Sequence, residues 1–254
     1  VFWNSLEQAL AVSAFPVCPW TTAADQSDAN YYLGYIAYQL EDFEEANRNF
    51  DKLNKSSDDN TVGYFQADMN FKLGRFEQAI LLAKPSLKGA DEKETSELSK
   101  IIGESYFNLK DYRSALPFLI AYKGKRGKWN NTDYYQLGYT HYRVKEYDNA
   151  IAQFNKIING KNAVAQNAYY HLADSYLQTD QKTAALNAFK RAAEMKFDPI
   201  IAEDALLNYA RLSYEIGNSY ESPSAVLQRF VETHPKNKAV NEIEELLLDS
   251  YVNS

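Results

Sequence analysis

The chain is short of most residues that build compact chemistry. Its 254 residues include 1 Cys, 2 Met, 3 Trp and 3 His. Cys18 alone makes no intrachain disulfide and no cysteine-rich metal site, and it leaves the redox compartment open. Positive charge is scarce too: 27 basic against 34 acidic residues leave a net charge of −7. That balance disfavours nonspecific binding to nucleic acid or an anionic membrane, since both rely on a basic surface. No stretch approaches the ~18 consecutive apolar residues of a transmembrane helix, so the chain does not read as membrane-spanning. The HExxH, GxSxG, P-loop and GxGxxG motifs are all missing. No basic n-region followed by an apolar stretch opens the chain, so an export signal reads as removed or never present. A start on Val1 rather than Met reads as a processed or excised piece.

What is abundant is tyrosine, with 20 copies, in an otherwise ordinary background of 45% apolar and 24% charged residues. Such a composition folds, and the length suits one or two domains. The tyrosines recur in register. GYIAYQLEDFEEA (34–46), ADMNFKLGRFEQA (67–79), GESYFNLKDYRSA (103–115), GYTHYRVKEYDNA (138–150) and ADSYLQTDQKTAA (173–185) share one template. A small residue opens it at Gly34, Ala67, Gly103, Gly138 and Ala173, and an alanine closes it at Ala46, Ala79, Ala115, Ala150 and Ala185. The closing alanines step by 33, 36, 35 and 35 residues. A turn lies between (LEDF, LGRF, LKDY, VKEY), ending on an aromatic in four of the five copies. A less regular sixth copy runs from Ala210 to Pro235, with Pro223 read in place of the closing alanine.

Apolar spacing is helical on both sides of each turn. Tyr134, Leu137, Gly138, His141 and Tyr142 form one broad helix face, and Ala150, Phe154 and Ile157 form the matching stripe on a second helix. Short side chains let two antiparallel helices approach, so a large residue at Gly138 or Ala150 should overpack the crossing. One hairpin cannot bury its own stripe and must stack on its neighbours.

The period, the small–aromatic–alanine template and the late Pro235 resemble the tetratricopeptide repeat (TPR) over about residues 28–238. The early aromatic of that motif is replaced by Asn30, Gly63, Ser99 and Leu206 in four copies. The resemblance implies an all-α fold, a right-handed superhelical α-solenoid of stacked helix-turn-helix hairpins. Residues 1–27 then read as the second helix of a preceding repeat and a Pro-containing connector, through Pro16 and Pro19. Residues 28–238 read as about six units in one solenoid. Residues 239–254 read as the first helix of a further, truncated repeat or a capping helix, with Ile243, Leu246, Leu247 and Tyr251 on one face. NKSSDDN (54–60), KGADEKETSE (88–97) and KGKRGKWNNT (123–132) read as polar inter-repeat turns and helix starts. A softer resemblance, carried by residues 166–189 and 203–220, is to large TPR proteins of Gram-negative, Bacteroidetes-type cell envelopes. It favours a periplasmic or envelope location over the cytoplasm.

In TPR proteins the inner surface is formed mainly by the first helix of each repeat. Carried over residue by residue, this implies a groove lined by Tyr31, Tyr35, Tyr38, Tyr64, Phe71, Lys100, Phe107, Tyr135, Tyr139, Tyr142, Arg143, Tyr170, Asp174, Arg211 and Tyr214. Independently of any family, Tyr31/Tyr35/Tyr38 and Tyr135/Tyr139/Tyr142 have i, i+4, i+7 spacing and share a helix face. Tyrosine offers a flat ring and a hydroxyl at low entropic cost, which suits a wet binding surface. Aromatics in the slots of Tyr38 and Tyr142 equally serve packing between repeats. The Lys/Arg/Asn set that clamps acidic peptide termini in chaperone-cofactor TPRs is incomplete here.

No catalytic constellation competes with this reading, and no cofactor or metal is expected. His141 fills a slot that is Tyr106 and Tyr176 in neighbouring copies, which points to packing. His171 faces the same groove, and His234 before Pro235 reads as a solvated turn residue. The basic turn KGKRGKW (123–129) is the one charge anomaly. It reads as a solvated turn with Trp129 folded back onto a repeat, the competing reading being an anion- or nucleic-acid-binding loop in which Trp129 stacks on a ligand. The expectation is therefore a non-enzymatic scaffold holding a protein or extended peptide in a tyrosine-lined groove, without nucleic acid. Competing expectations are a glycan-binding envelope module and an architectural segment that self-associates through its C-terminal helix.

Overall fold

A computed structural model describes residues 23–53 and 60–252. The expected helix and connector before residue 23 lie outside the described residues. The fold is all-α. In chain order the helices are α1 (Ala23–Gln39), α2 (Phe43–Phe50), α3 (Asn60–Lys72), α4 (Phe76–Ser86), α5 (Glu92–Asn108), α6 (Tyr112–Ala121), α7 (Asn131–Arg143), α8 (Tyr147–Phe154), α9 (Ala163–Gln178), α10 (Lys182–Glu194), α11 (Pro199–Ile216), α12 (Pro223–Thr233) and α13 (Val240–Val252). They form two compact units that divide between Tyr122 and Lys123, at a segment whose sequence reads as one more inter-repeat turn. Each unit is a stack of helical hairpins: α1/α2, α3/α4 and α5/α6 in the first; α7/α8, α9/α10 and α11/α12, followed by α13, in the second. Within each unit the first helix of a hairpin also touches the first helix of the next.

Five of the hairpin turns close identically. Glu41, Gly74, Lys110, Lys145 and Asp180 take left-handed φ of 61°, 72°, 62°, 68° and 57°. The next amide reaches back five residues in each: Asp42 N–H to the Ala37 carbonyl, Arg75 to Asn70, Asp111 to Tyr106, Glu146 to His141 and Gln181 to Tyr176, at 2.8–3.0 Å. This Schellman geometry satisfies otherwise orphaned helix carbonyls. Only Gly74 adopts it without a Cβ penalty, so the other four turns each carry roughly 1 kcal/mol of strain.

Past the turn, the template residues seal the crossing. Ala46, Ala79, Ala115, Ala150 and Ala185 are all completely buried. A Cβ on Gly34 would lie 2.7 Å from the Phe50 ring, and one on Gly138 2.9 Å from the Phe154 ring, so small residue and aromatic ring fit as socket and knob.

The sixth hairpin departs from this pattern, and here the structure corrects the sequence alignment. Pro223 does not stand in for the closing alanine. It opens α12 as its first residue behind the N-cap Ser222, where a missing N–H costs nothing. The slot of the closing alanine belongs to Val226, fully buried, with Phe230 in the place of Phe154 and Phe189. The longer connector, residues 217–222, is held by Tyr209: its hydroxyl donates to Glu221 at 2.9 Å and accepts from Asn218 at 2.7 Å. Burial chiefly, with the Glu221 carboxylate, pushes the Tyr209 phenol up to about 12.

The connector between α10 and α11 hangs on one side chain. Gln166, completely buried, donates to the carbonyls of Ala192, Met195 and Asp198 at 3.0–3.1 Å and accepts from the amides of Phe197 and Asp198. On α13, Ile243 is fully buried and Leu246 and Leu247 pack against the core of the second unit. Tyr251, expected on the same face, is largely exposed at the edge of the contact with α12, where its hydroxyl reaches Gln228 at 3.4 Å; Leu248 and Val252 are exposed as well. No helix among the described residues is long and apolar enough to cross a membrane.

Candidate functional site

The first helices of successive hairpins carry the predicted residues, and each unit brings one set together. In the second unit, α7 supplies Tyr135, Tyr139 and Tyr142, one helical turn apart, and α9 supplies Tyr170, His171 and Asp174. The His171 ring is the centre. Around it stand Tyr139 at 4.8 Å between ring centroids, Tyr142 at 5.2 Å, Tyr170 at 5.4 Å, Phe154 at 6.2 Å and Tyr135 at 6.3 Å. Tyr135 and Tyr139 lie nearly parallel, with 17° between their planes and 5.9 Å between centroids. Arg143 reaches back from the last turn of α7 to donate to the Tyr139 hydroxyl at 3.0 Å.

The phenols tie one repeat to the next. Tyr142 donates to Asp174, and Tyr170 donates to Asp204 on α11 at 2.5 Å. Burial first, and the accepting carboxylate second, push both phenols well above the usual tyrosine range. His171 moves in the other direction. Its Nδ1 is sealed from solvent and has no hydrogen-bond partner among the described residues. Burial pushes the imidazole down to about 4; the Asp174 carboxylate opposes this and the Arg143 guanidinium assists it.

The first unit holds a related constellation. Phe65 occupies the place of His171, ringed by Tyr38 at 4.9 Å, Tyr35 at 5.5 Å, Tyr64 at 5.7 Å and Phe50 at 5.8 Å. Tyr38 donates to Asp68 at 2.6 Å, as Tyr142 does to Asp174. Lys72 closes on the same carboxylate at 2.7 Å and lies over the Tyr38 ring. Burial, followed by Asp68, raises the Tyr38 phenol, and burial, followed by Glu97, raises Tyr64. Phe65 and His171 each stand two residues before the opening small residue of their repeats, Ala67 and Ala173. Their shared ring cage was invisible because its members come from three helices.

The remaining predicted residues lie apart from these clusters or are engaged elsewhere. Phe71 and Phe107 pack on the turn aromatics Phe76 and Tyr112 of their own hairpins, at 5.8 and 5.6 Å. Tyr31 packs on Tyr32 and Phe50. Lys100 sits over the Tyr122 ring at 4.9 Å and 3.7 Å from Glu104. Arg211 forms a two-pronged pair with Glu242 of α13, and Tyr214 donates to Asp249 of the same helix. The other two histidines are structural. His141 is buried with Nδ1 2.8 Å from Glu146. His234, expected in solvent, is instead partly buried against Phe230 and lies 3.4 Å from Glu203, because the turn before α13 folds onto α11, where Asn237 donates to the same Glu203 at 2.6 Å. No group of three or more His, Cys, Asp or Glu suited to a metal ion occurs among the described residues.

Comparison with known proteins bears on the repeat. The tetratricopeptide repeat model matches residues 134–159 and 166–199, the two hairpins that carry the second-unit cluster. No curated protein sequence matches the chain. Among solved structures, YrrB is similar with a TM-score of 0.59 and 16% identity, over 75% of this chain and 94% of that one. MamA of AMB-1 is similar with a TM-score of 0.56 and 19% identity, over 67% of this chain and 99% of that one. MamA from Desulfovibrio magneticus RS-1 gives 0.52 and 18%, over 67% and 95%. At such identities the likeness is one of fold. The family match itself is confined to those two repeats.

Proposed function

We propose that the chain is a non-enzymatic protein-interaction scaffold, and that the tyrosine faces of its first helices hold an extended peptide segment of a partner. The observation that carries this reading is the parallel, partly exposed ring pair Tyr135/Tyr139, held in place by His171 and Arg143. Its packing is complete without a ligand, so binding orders mainly the peptide. The hydrogens of Tyr142 and Tyr170 are committed to Asp174 and Asp204, so toward a ligand these two hydroxyls act as acceptors. A segment presenting backbone N–H groups, Lys or Arg fits that chemistry better than one presenting carboxylates. YrrB, described as a TPR protein with an unusual peptide-binding site, lends the same direction. The bacterial envelope location is part of this proposal and rests on sequence resemblance alone.

The test is an array of extended peptides probed with the whole chain and with the double variant Tyr135→Ala/Tyr139→Ala. Loss of central interface tyrosines typically costs more than ~1 kcal/mol each, so binding should fall by tenfold or more. A folded double variant that retains the same peptides at the same affinity removes the groove.

A further inference from the structure

The segment before α7 is built as something other than a loose turn. Lys125 and Lys128 pair in an antiparallel bridge, and the Lys128 amide donates to the Lys125 carbonyl at 3.2 Å. The two residues between them, Arg126 and Gly127, have φ of 55° and 74°. Positive φ at both central positions defines a type I′ hairpin, for which Asn-Gly is the favoured pair. Gly124, at φ 88°, is pressed so closely that a Cβ there would meet the Lys128 backbone at 2.4 Å and Trp129 at 2.6 Å. Trp129 folds back on Tyr134 at 5.2 Å, and Asn130 caps α7 in a reciprocal capping box with Asp133. The tip is thus anchored directly to the first helix of the second unit.

Its charge is as unusual as its shape. Lys123, Lys125, Arg126 and Lys128 fall within six residues of a chain whose net charge is −7. Lys125, Arg126 and Lys128 are exposed, and none has an ion-pair partner among the described residues. Elsewhere cations such as Lys72, Lys182, Arg211 and Arg229 pair with carboxylates. Arg126 also holds a left-handed backbone that Asn or Gly would adopt with less strain, as Glu41, Lys110, Lys145 and Asp180 do at the hairpin turns.

We infer that the Lys125–Lys128 hairpin is a docking point for an acidic segment of a partner protein, distinct from the tyrosine face. A rigid tip presents its cations without first having to order a loop, which lowers the entropic cost of pairing. A short acidic run can engage three cations without approaching the rest of an acidic protein. A nucleic-acid duplex or an anionic bilayer extends over many charges and meets the repulsion of the whole chain.

The experiment titrates a fluorescein-labelled glutamate-rich dodecapeptide with the whole chain, at low and high salt. The expected result is saturable binding that weakens with salt and falls about tenfold in Lys125→Gln/Arg126→Asn/Lys128→Gln, three exposed ion pairs being lost. Asn at the apex preserves the turn, so the variant folds, as circular dichroism verifies. Tyr135→Ala/Tyr139→Ala should bind the acidic peptide like the parent, which separates this site from the groove. Equal binding by the triple variant overturns the proposal. So does tighter, hairpin-dependent binding of a short DNA duplex or of phosphatidylserine vesicles, which would assign the tip to a different partner class.

Discussion

Replacing His171 with Phe should convert an acid-sensitive cluster into an acid-tolerant one. The imidazole's ordinary value near 6.5 falls to about 4 in the folded chain. Between those values the unfolded chain binds a proton that the native one refuses, so stability falls as pH drops. The penalty is absent above about 6.5, grows from there down to about 4, and is constant below. Integrating a 2.5-unit gap down to pH 4.5 gives a loss of about 2.5 kcal/mol relative to neutral pH. Phe65 already fills the equivalent slot among Tyr35, Tyr38, Tyr64 and Phe50, so a phenyl ring suits the cage. It also removes the unpartnered Nδ1, for a gain of about 1 kcal/mol at neutral pH. The assay is urea unfolding of parent and variant at pH 7.5 and 4.5. Asp174, Arg143 and all other charged groups are present in both proteins, so their titration largely cancels in the comparison. If parent and His171→Phe lose the same stability on acidification, the sealed neutral imidazole is refuted.

Three other perturbations probe the architecture. Gly138→Val drives a side chain into Phe154 and Gln153, and thermal unfolding should show a loss of about 1–3 kcal/mol. Gln166→Leu leaves the amides of Phe197 and Asp198 and the carbonyls of Ala192 and Met195 without their partner, while the Asp198 carbonyl keeps the Ala202 amide; a loss of about 3 kcal/mol, with faster hydrogen exchange at residues 195–198, is the expected result. Lys145→Gly relieves the left-handed turn at φ 68° and should stabilise by up to about 1 kcal/mol, read as a higher denaturant midpoint with an unchanged m-value.

Much of the fold is legible in the sequence because the repeat writes it five times over. Gly34, Gly138 and the five closing alanines mark the helix crossings directly, since only small residues fit there. The sixth hairpin is misread for a physical reason. Its connector lengthens while its packing slots stay fixed, so Pro223, close to the template's spacing from Ala210, is read as the closing residue when the core residue is Val226. The site is legible only in part. Helical spacing groups Tyr135, Tyr139 and Tyr142, but it says nothing of Phe154 and His171, which reach the cluster from two other helices. Nor does spacing separate Phe71 and Phe107, which pack on their own turns, from the caged rings. The type I′ hairpin hides because Arg126-Gly127 is not among the favoured dipeptides for that turn.

The phenol–carboxylate ties between neighbouring hairpins have a kinetic consequence. Tyr38–Asp68, Tyr142–Asp174, Tyr170–Asp204 and Tyr214–Asp249 each join helices some thirty residues apart in sequence, and none reaches further. Ties that reach only the next repeat require no long loop to close before they gain stability. Whichever hairpin forms first offers its phenol as the landing place for the next, and each unit folds by extension from that nucleus.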